Sequence, residues 1–169
     1  MKYLFSTGYL LPFLQSRAAA KLVYEIKTDD FDTKSDEEII NGFLFRPLCI
    51  RRDTQKILEP TGRVPNQPLI IEAKYTYTGD PALWDMKPEH GTVFPRGEII
   101  GNVLKIEVCC HPKEAMNYLS GALNKIDAFI DNQRPHLERY NEQIQNELAI
   151  LVPEHRSWLE QKRQLCRDQ

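Results

Sequence analysis

The chain has 169 residues, a formal net charge of -2, and hydrophobic and charged fractions of 41% and 27%. This size suits one domain with an apolar core, or a sheet-containing domain with a helical extension. The composition argues against disorder, and the charge balance indicates no general attraction to nucleic acid or anionic membranes. No stretch approaches the roughly 20 apolar residues that span a bilayer.

Cysteine usage and the N-terminus bear on the cellular compartment. The cysteines are Cys49, Cys109, Cys110 and Cys166. Their spacing is not typical of a disulfide framework or a metal site, which favours a reducing cytoplasm. An alternative interpretation is a secretory signal, because the chain starts with an apolar run at residues 3–14 and has three alanines at 18–20. Ser6, Gly8 and Pro12 interrupt that run, so we expect a cytoplasmic protein.

The N-terminal third is predicted to be helical. Apolar residues recur every three or four positions from residue 11, which predicts one amphipathic helix. These residues are Leu14, Ala18, Leu22 and Ile26. The acidic residues 28–34 are expected to end this helix. Ser35 and Glu38 then form the S-x-x-E pattern of a capping box, which predicts the start of a second, shorter helix.

The middle of the chain changes to the periodicity of strands. Residues 69–77 are rich in Ile and Tyr and alternate in polarity, which predicts a strand. Residues 98–100 and 103–108 predict two further strands. Gly101 and Asn102 between them suit the tight turn of a hairpin. We therefore expect a small, mostly antiparallel sheet.

Two polar loops are predicted to flank the first of these strands. A short apolar run at residues 48–50 leads into a proline-containing loop that reaches residue 68. A second loop at residues 81–96 carries Trp84. A large aromatic residue beside a strand end either anchors a partner or plugs the core, and the sequence leaves both roles open.

The last third is predicted to be helical. Apolar residues step by three and four along residues 119–130 and again along 137–151. The residues around Pro135 and Pro153 predict breaks, since proline removes a helical hydrogen bond. We expect two or three helices that form a hairpin or a coiled-coil-like arm. A kinked continuous arm is the competing geometry.

These elements together predict an α+β fold. It would have N-terminal helices, a small mostly antiparallel sheet, and the helical hairpin or coiled-coil-like arm at the C-terminus. The expected division is an α+β domain at residues 1–112 and a helical arm at residues 113–169. Packing of both parts as one domain is the alternative.

One predicted strand carries a candidate catalytic pattern. Glu72 and Lys74 form an E-x-K sequence similar to that of restriction-type nucleases, in which a carboxylate and a lysine organise Mg²⁺ and the attacking water. Asp53 or Asp80 would supply a further ligand. The competing interpretation places Glu72 and Lys74 on the solvent face of an amphipathic strand. It accounts for both residues without a metal, and we expect no cofactor.

The apolar residues of the C-terminal helices indicate how the protein assembles. They must be covered by the sheet, by one another, or by a second copy of the chain. We expect the assembly residues to be Leu137, Tyr140, Ile144 and Leu148, with Trp84 on a recognition face.

Three motifs resemble a bacterial module. They are FLFRPLCI at residues 43–50, YTGDPALW at 77–84 and PRGEIIGNV at 95–103. Helices that carry Asn141 and Arg156 follow them. Residues 36–165 thereby resemble the N-terminal region of bacterial defence-associated proteins in which a nuclease or TIR-like effector comes next. Because this chain ends after the helices, the resemblance implies an accessory subunit or a piece of a longer protein.

The sequence therefore predicts a non-catalytic interaction or sensor module, an accessory subunit of a bacterial system such as anti-phage defence. Its partner would be an effector subunit or a second copy of the chain in a homo-oligomer. One alternative is a metal-dependent nuclease that uses the E-x-K strand. Another is a small-ligand sensor in which residues 81–96 close over a pocket. No membrane partner is expected, and the charge does not indicate nucleic acid.

Overall fold

The computed structural model describes residues 1–58, 68–88 and 94–167, and it has the predicted α+β class. Contacts divide the chain into two compact units. The sheet unit consists of Met1–Leu11 and Arg46–His136, and the helical unit consists of Pro12–Phe45 and Leu137–Gln169. This division differs from the boundary predicted at residue 112, because each unit combines two segments that are distant in sequence. The predicted loops lie partly outside the described residues, at 59–67 and 89–93.

In the described part of the chain, the sheet unit has seven strands. They are β1 Lys2–Tyr3, β2 Gly8–Tyr9, β3 Cys49–Leu58, β4 Leu69–Thr78, β5 Met86–Lys87, β6 Arg96–Ile100 and β7 Val103–Cys110. Five of them form an antiparallel sheet in the order β1-β6-β7-β4-β3, and β2 pairs with β5 in parallel. Strand β4 and the β6–β7 hairpin confirm the strands predicted from the sequence. Gly101 in the hairpin turn has a φ of 59°.

One face of the sheet forms the core of this unit. Along β4, every second residue from Ile71 to Tyr77 is buried, while Glu72 and Lys74 are half-buried on the opposite face. The pattern continues on β7, where Leu104 and Ile106 are buried. The alternation in the sequence therefore located the core face of β4.

Strand β3 lies where the sequence predicted mostly a loop. It pairs with β4 along its length, but the register shifts between Arg51 and Lys56. Within this irregularity, the Thr54 hydroxyl accepts a hydrogen bond of 2.8 Å from the main-chain nitrogen of Thr76. Because β3 is an edge strand with most of its side chains exposed, its polar sequence does not alternate, and the pattern of a half-buried strand is missing.

The predicted loop at Trp84 is partly structured. Pro81–Asp85 forms a 3₁₀ helix that leads into β5. The Trp84 side chain is 2% exposed, and its ring centroid lies 5.4 Å from that of Phe5 and 5.1 Å from that of Tyr77. Trp84 therefore fills the core of the sheet unit.

Four short helices lie between β2 and β3. They are α1 Leu10–Ser16, α2 Ala19–Glu25, α3 Thr28–Thr33 and α4 Asp36–Asn41. The sequence predicted a single helix where α1 and α2 stand, and it predicted α3 as a helix end. The capping box of α4 is confirmed, since Ser35 Oγ accepts a 3.2 Å hydrogen bond from the Glu38 nitrogen. The Glu38 carboxylate in turn accepts one of 2.8 Å from the Ser35 nitrogen.

The C-terminal third is one helix, α5, at Ala115–Arg167. It continues through Pro135 and Pro153, so the predicted breaks and the hairpin are not found. Of the competing geometry, a kinked continuous arm, the continuity of the helix is observed. A proline inside a helix costs about 3 kcal/mol. Both prolines are exposed, whereas Ile130 and Leu137 near the first of them are buried, and this burial offsets the cost. No helix in the described residues has an apolar stretch that could cross a lipid bilayer.

Candidate functional site

The residues of the predicted nuclease site do not converge. Glu72 lies within β4, whereas Asp80 follows the turn at Gly79 and pairs with Arg46 at 3.6 Å. Asp53 lies on β3 in an exposed ion pair with Arg51 at 3.1 Å. Among the described residues, no group of three or more acidic, histidine or cysteine side chains could hold a metal ion.

Glu72 belongs instead to an ion-pair cluster on the outer face of the sheet. Lys105 Nζ lies 3.1 Å from Glu72, 3.3 Å from Glu107 and 3.8 Å from Glu98. The hydrogen bond with Glu72 is the main reason why the pKa of Lys105 is raised above its ordinary value. Lys74 stands between Lys56 and Lys105 in the ladder. The E-x-K pattern is thus part of a charged face across four strands, as the competing interpretation proposed.

The residues predicted to mediate assembly are buried within the chain. Exposed fractions are 0% for Leu137 and Leu148, 2% for Ile144 and 8% for Tyr140. Trp84 is equally inaccessible. A partner cannot reach these side chains in the folded protein, so any interaction surface has to be made of other residues.

The motifs behind the resemblance also have structural contacts. Gly79 has a φ of 105°, and a Cβ at this position would lie 2.3 Å from the Pro47 oxygen. The next residue, Asp80, donates from its nitrogen to the Arg46 oxygen at 2.9 Å and accepts from the Arg46 nitrogen at 2.5 Å. The T-G-D turn therefore fixes the R-P segment of the first motif against the end of β4.

In the helical unit, Arg156 joins α5 to the turn between α3 and α4. Its guanidinium pairs with the Asp36 carboxylate at 2.7 Å and donates 2.9 Å to the Lys34 oxygen. It also donates to the main-chain oxygen of Phe31, and its guanidinium carbon lies 5.4 Å from that ring centroid. All of these contacts are within the helical unit, which gives Arg156 a structural role.

The helical unit also has an array of accessible aromatic rings. The His155 ring centroid lies 5.8 Å from that of Tyr24, 5.3 Å from that of Phe31 and 5.4 Å from that of Trp158. Tyr24 is 80% exposed and Trp158 is 51% exposed, whereas Phe31 is buried. Lys162 Nζ stands 5.2 Å from the centroid of the Trp158 ring.

This array lies at the end of a row of apolar residues spaced by seven along α5. The row consists of Leu137, Ile144, Leu151, Trp158 and Leu165. The first two side chains are buried, Leu151 is half-buried, and Leu165 is 68% exposed. A row spaced by seven drifts about 20° around a straight helix for each repeat, and this drift carries it away from the covered face. We name the surface of Tyr24, His155, Trp158 and Leu165 the tail patch.

A groove in the sheet unit is a separate candidate site. It has a volume of about 480 Å³ and an apolar floor that includes Phe94, Ile106 and Ala122. Arg96 and Lys125 contribute cationic groups to its lining, and Glu107, which pairs with Lys105 at 3.3 Å, contributes an anionic one. Gly121 also lines it, and a Cβ there would meet nothing within 4 Å.

Comparison with protein-family models, curated proteins and solved structures found no match to this chain. The function is therefore argued from the geometry above. The tail patch was missed in the sequence because the apolar periodicity of α5 is the same in its buried part and in its exposed part. The seven-residue spacing from Leu151 to Leu165 was its only visible signal.

Proposed function

We propose that this chain is a non-catalytic interaction module that docks on a protein partner through the tail patch. The observation that carries the proposal is the array in which the His155 ring contacts those of Tyr24 and Trp158, both of which are accessible. Exposed apolar residues that occur singly are ordinary on protein surfaces. Clustered Trp and Tyr side chains, however, are the residues that contribute most to protein–protein binding.

The biological setting of this proposal is an accessory subunit of a bacterial system such as anti-phage defence. The motif resemblance supports that setting, and the partner would be an effector subunit or a second copy of the chain. The four cysteines are free thiols, which suits a reducing compartment such as the cytoplasm. A catalytic role is not favoured, since the three candidate carboxylates, Glu72, Asp53 and Asp80, are each paired with a different basic residue.

The docking proposal is tested by co-expressing the tagged chain with the products of genes adjacent to its own. We expect one product to copurify with the wild type and with Ile150→Glu, and to be lost with Trp158→Glu or Leu165→Glu. Ile150 is a matched control, because it is 63% exposed and lies about 80° around α5 from Trp158. A product that binds all variants equally would contradict the proposal.

The groove of the sheet unit supports a second candidate function, sensing of a small organic anion. An apolar lining with two cationic groups suits a carboxylate that has an aromatic or aliphatic body, because the acidic residue of the lining, Glu107, is already paired with Lys105. A thermal-shift series with such carboxylates should raise the Tm of the wild type and of Gly121→Ala. Gly121→Phe should abolish the response by filling the groove. A wild type that responds to none of them would contradict this function.

A further inference from the structure

We propose that the tail patch binds the tail patch of a second copy of this chain, with the two α5 helices antiparallel and Trp158 opposite Trp158. The inference rests on the proposed docking function and names the partner. A two-fold axis at Trp158 would make the interface self-complementary and closed, as in most symmetric dimers.

The sequence around Trp158 has the symmetry that such a pair requires. Leu151 and Leu165 stand seven residues before and after it, and Glu154 and Lys162 stand four residues before and after it. At 100° per residue, all four lie within about 40° of Trp158 around the helix. Antiparallel pairing therefore sets Leu151 against the second copy's Leu165, and Glu154 against its Lys162. Each of these contacts occurs twice.

The charges discriminate between the two possible helix directions. A parallel pair would place Glu154 opposite Glu154 and Lys162 opposite Lys162, and facing like charges are destabilising. The antiparallel pair converts both into attractive contacts. The charge pattern thus favours one direction of packing, as charged flanking positions do in coiled coils.

The charged residues beside the tail patch, Glu154 and Lys162, are accessible, in contrast to other charges on the same helix. Arg156 and Arg163 are held by Asp36 and Asp32 within the chain. Glu154 and Lys162 are exposed and form no ion pair among the residues that the structure describes. Lys162 only stands over the Trp158 ring, and there it can meet a carboxylate from a second copy.

The expected dimer is weak and reversible. The paired stretch from Leu151 to Leu165 covers four turns of α5, about 21 Å. Interfaces of that extent lie at the small end of specific complexes, where association is transient. The dimer should therefore dissociate on dilution, with an affinity that is sensitive to single charges.

The experiment is sedimentation equilibrium of the full chain over a wide concentration range. The wild type should move from monomer to dimer mass as concentration rises, and Trp158→Glu should stay monomeric. Glu154→Lys or Lys162→Glu alone should raise the dissociation constant about tenfold, because each turns two attractive pairs into repulsive ones. The double variant Glu154→Lys/Lys162→Glu should restore wild-type association.

Mixing the two single variants gives the sharpest result. Glu154→Lys has two lysines at these positions and Lys162→Glu has two glutamates, so their mixture should form a heterodimer more readily than either forms a homodimer. A parallel dimer would show no difference between the wild type and the single variants. Either that result or a wild type that is monomeric throughout would overturn the proposal.

Two controls show whether a loss of dimerisation comes from misfolding, and whether the tail patch binds a different partner. Ile150→Glu should associate like the wild type, and every variant should keep the wild-type helical circular dichroism. If the wild type is monomeric but an adjacent gene product binds it and is lost with Trp158→Glu, the self-association inference fails while the docking function stands. If neither binding occurs, both fail.

Discussion

The side-chain amide of Asn141 engages both main-chain groups of Phe45, accepting a hydrogen bond from its nitrogen at 2.9 Å and donating one to its oxygen at 2.8 Å. One amide thereby satisfies a donor and an acceptor that are partly buried in the segment after α4. Asn141 is one of the two helical residues in the motif resemblance. Like Arg156, it holds the early segment of the helical unit against α5.

Replacing this amide should destabilise the helical unit. We expect Asn141→Ala to lower the free energy of unfolding by about 1–3 kcal/mol, because two main-chain groups lose their partner. Urea denaturation measures this change. Asn146→Ala, an exposed site on the same helix, should stay within about 0.5 kcal/mol of the wild type. Equal effects of the two variants would contradict the role assigned to Asn141.

Gly79 should be intolerant of a side chain. Its φ of 105° and the 2.3 Å approach of a Cβ to the Pro47 oxygen require a backbone shift. We expect Gly79→Ala to cost about 3 kcal/mol. Gly101→Ala is the matched comparison, since its φ is also positive but the space around it is open. It should cost about 1 kcal/mol, so similar denaturation midpoints for the two variants would refute the close contact.

A charge in the buried row of α5 should unfold the protein without releasing a folded monomer. Ile144 is 2% exposed, and truncation of such a residue costs about 2–5 kcal/mol. Ile144→Ala should therefore lower the thermal midpoint, and Ile144→Glu should lose cooperative unfolding altogether. If Ile144→Glu is folded and light scattering shows it to be a monomer, Ile144 mediates assembly after all and this prediction is wrong.

The charged face of the sheet should show no metal-dependent nuclease activity. The Glu72 carboxylate is engaged with Lys105 at 3.1 Å and has no neighbouring acid set for a metal among the described residues. Incubating the protein with plasmid and Mg²⁺ should leave the DNA intact. Cleavage by the wild type that disappears in both Glu72→Ala and Lys74→Ala would contradict this prediction.

The capping box should make stability depend on pH on the acid side. The hydrogen bond from the Ser35 nitrogen is the main reason why the pKa of Glu38 is lowered from its ordinary value. A depressed folded-state pKa stabilises the fold above the unfolded pKa, and this contribution is lost as pH falls through the folded value. Denaturation midpoints measured from neutral to acid pH should therefore fall less in Glu38→Gln than in the wild type. Equal slopes for Glu38→Gln and the wild type would contradict this role of the capping box.

The structural features that depend only on residues close in sequence were predictable. The capping box of Ser35 and Glu38 and the turn at Gly101 need only nearby residues, and both are present as expected. The helix breaks at Pro135 and Pro153 were wrong because burial on either side outweighs a local penalty. Strand β3 was missed because it is stabilised by pairing with β4. Its own polar sequence has none of the alternation that predicts a strand.

The candidate site was less predictable than the fold. Periodicity located the apolar row of α5 correctly, including Leu137 and Ile144. It could not indicate where the chain itself stops covering that row, since this depends on the short helices packed against it. The sequence therefore predicts an interface at the buried members of the row and gives no separate indication of Trp158 and Leu165.

Each unit combines two segments that are distant in sequence, and this affects how the chain folds during its synthesis. Residues 12–45 emerge from the ribosome about 90 residues before their unit's second segment begins at Leu137. At ordinary elongation rates that interval is roughly 5–20 s, far longer than a helix or hairpin needs to form. Phe31, which is buried and contacts His155 and Arg156 in the folded protein, must wait through it without the α5 surface. The early helices therefore keep apolar side chains uncovered during synthesis, and chaperones bind such segments.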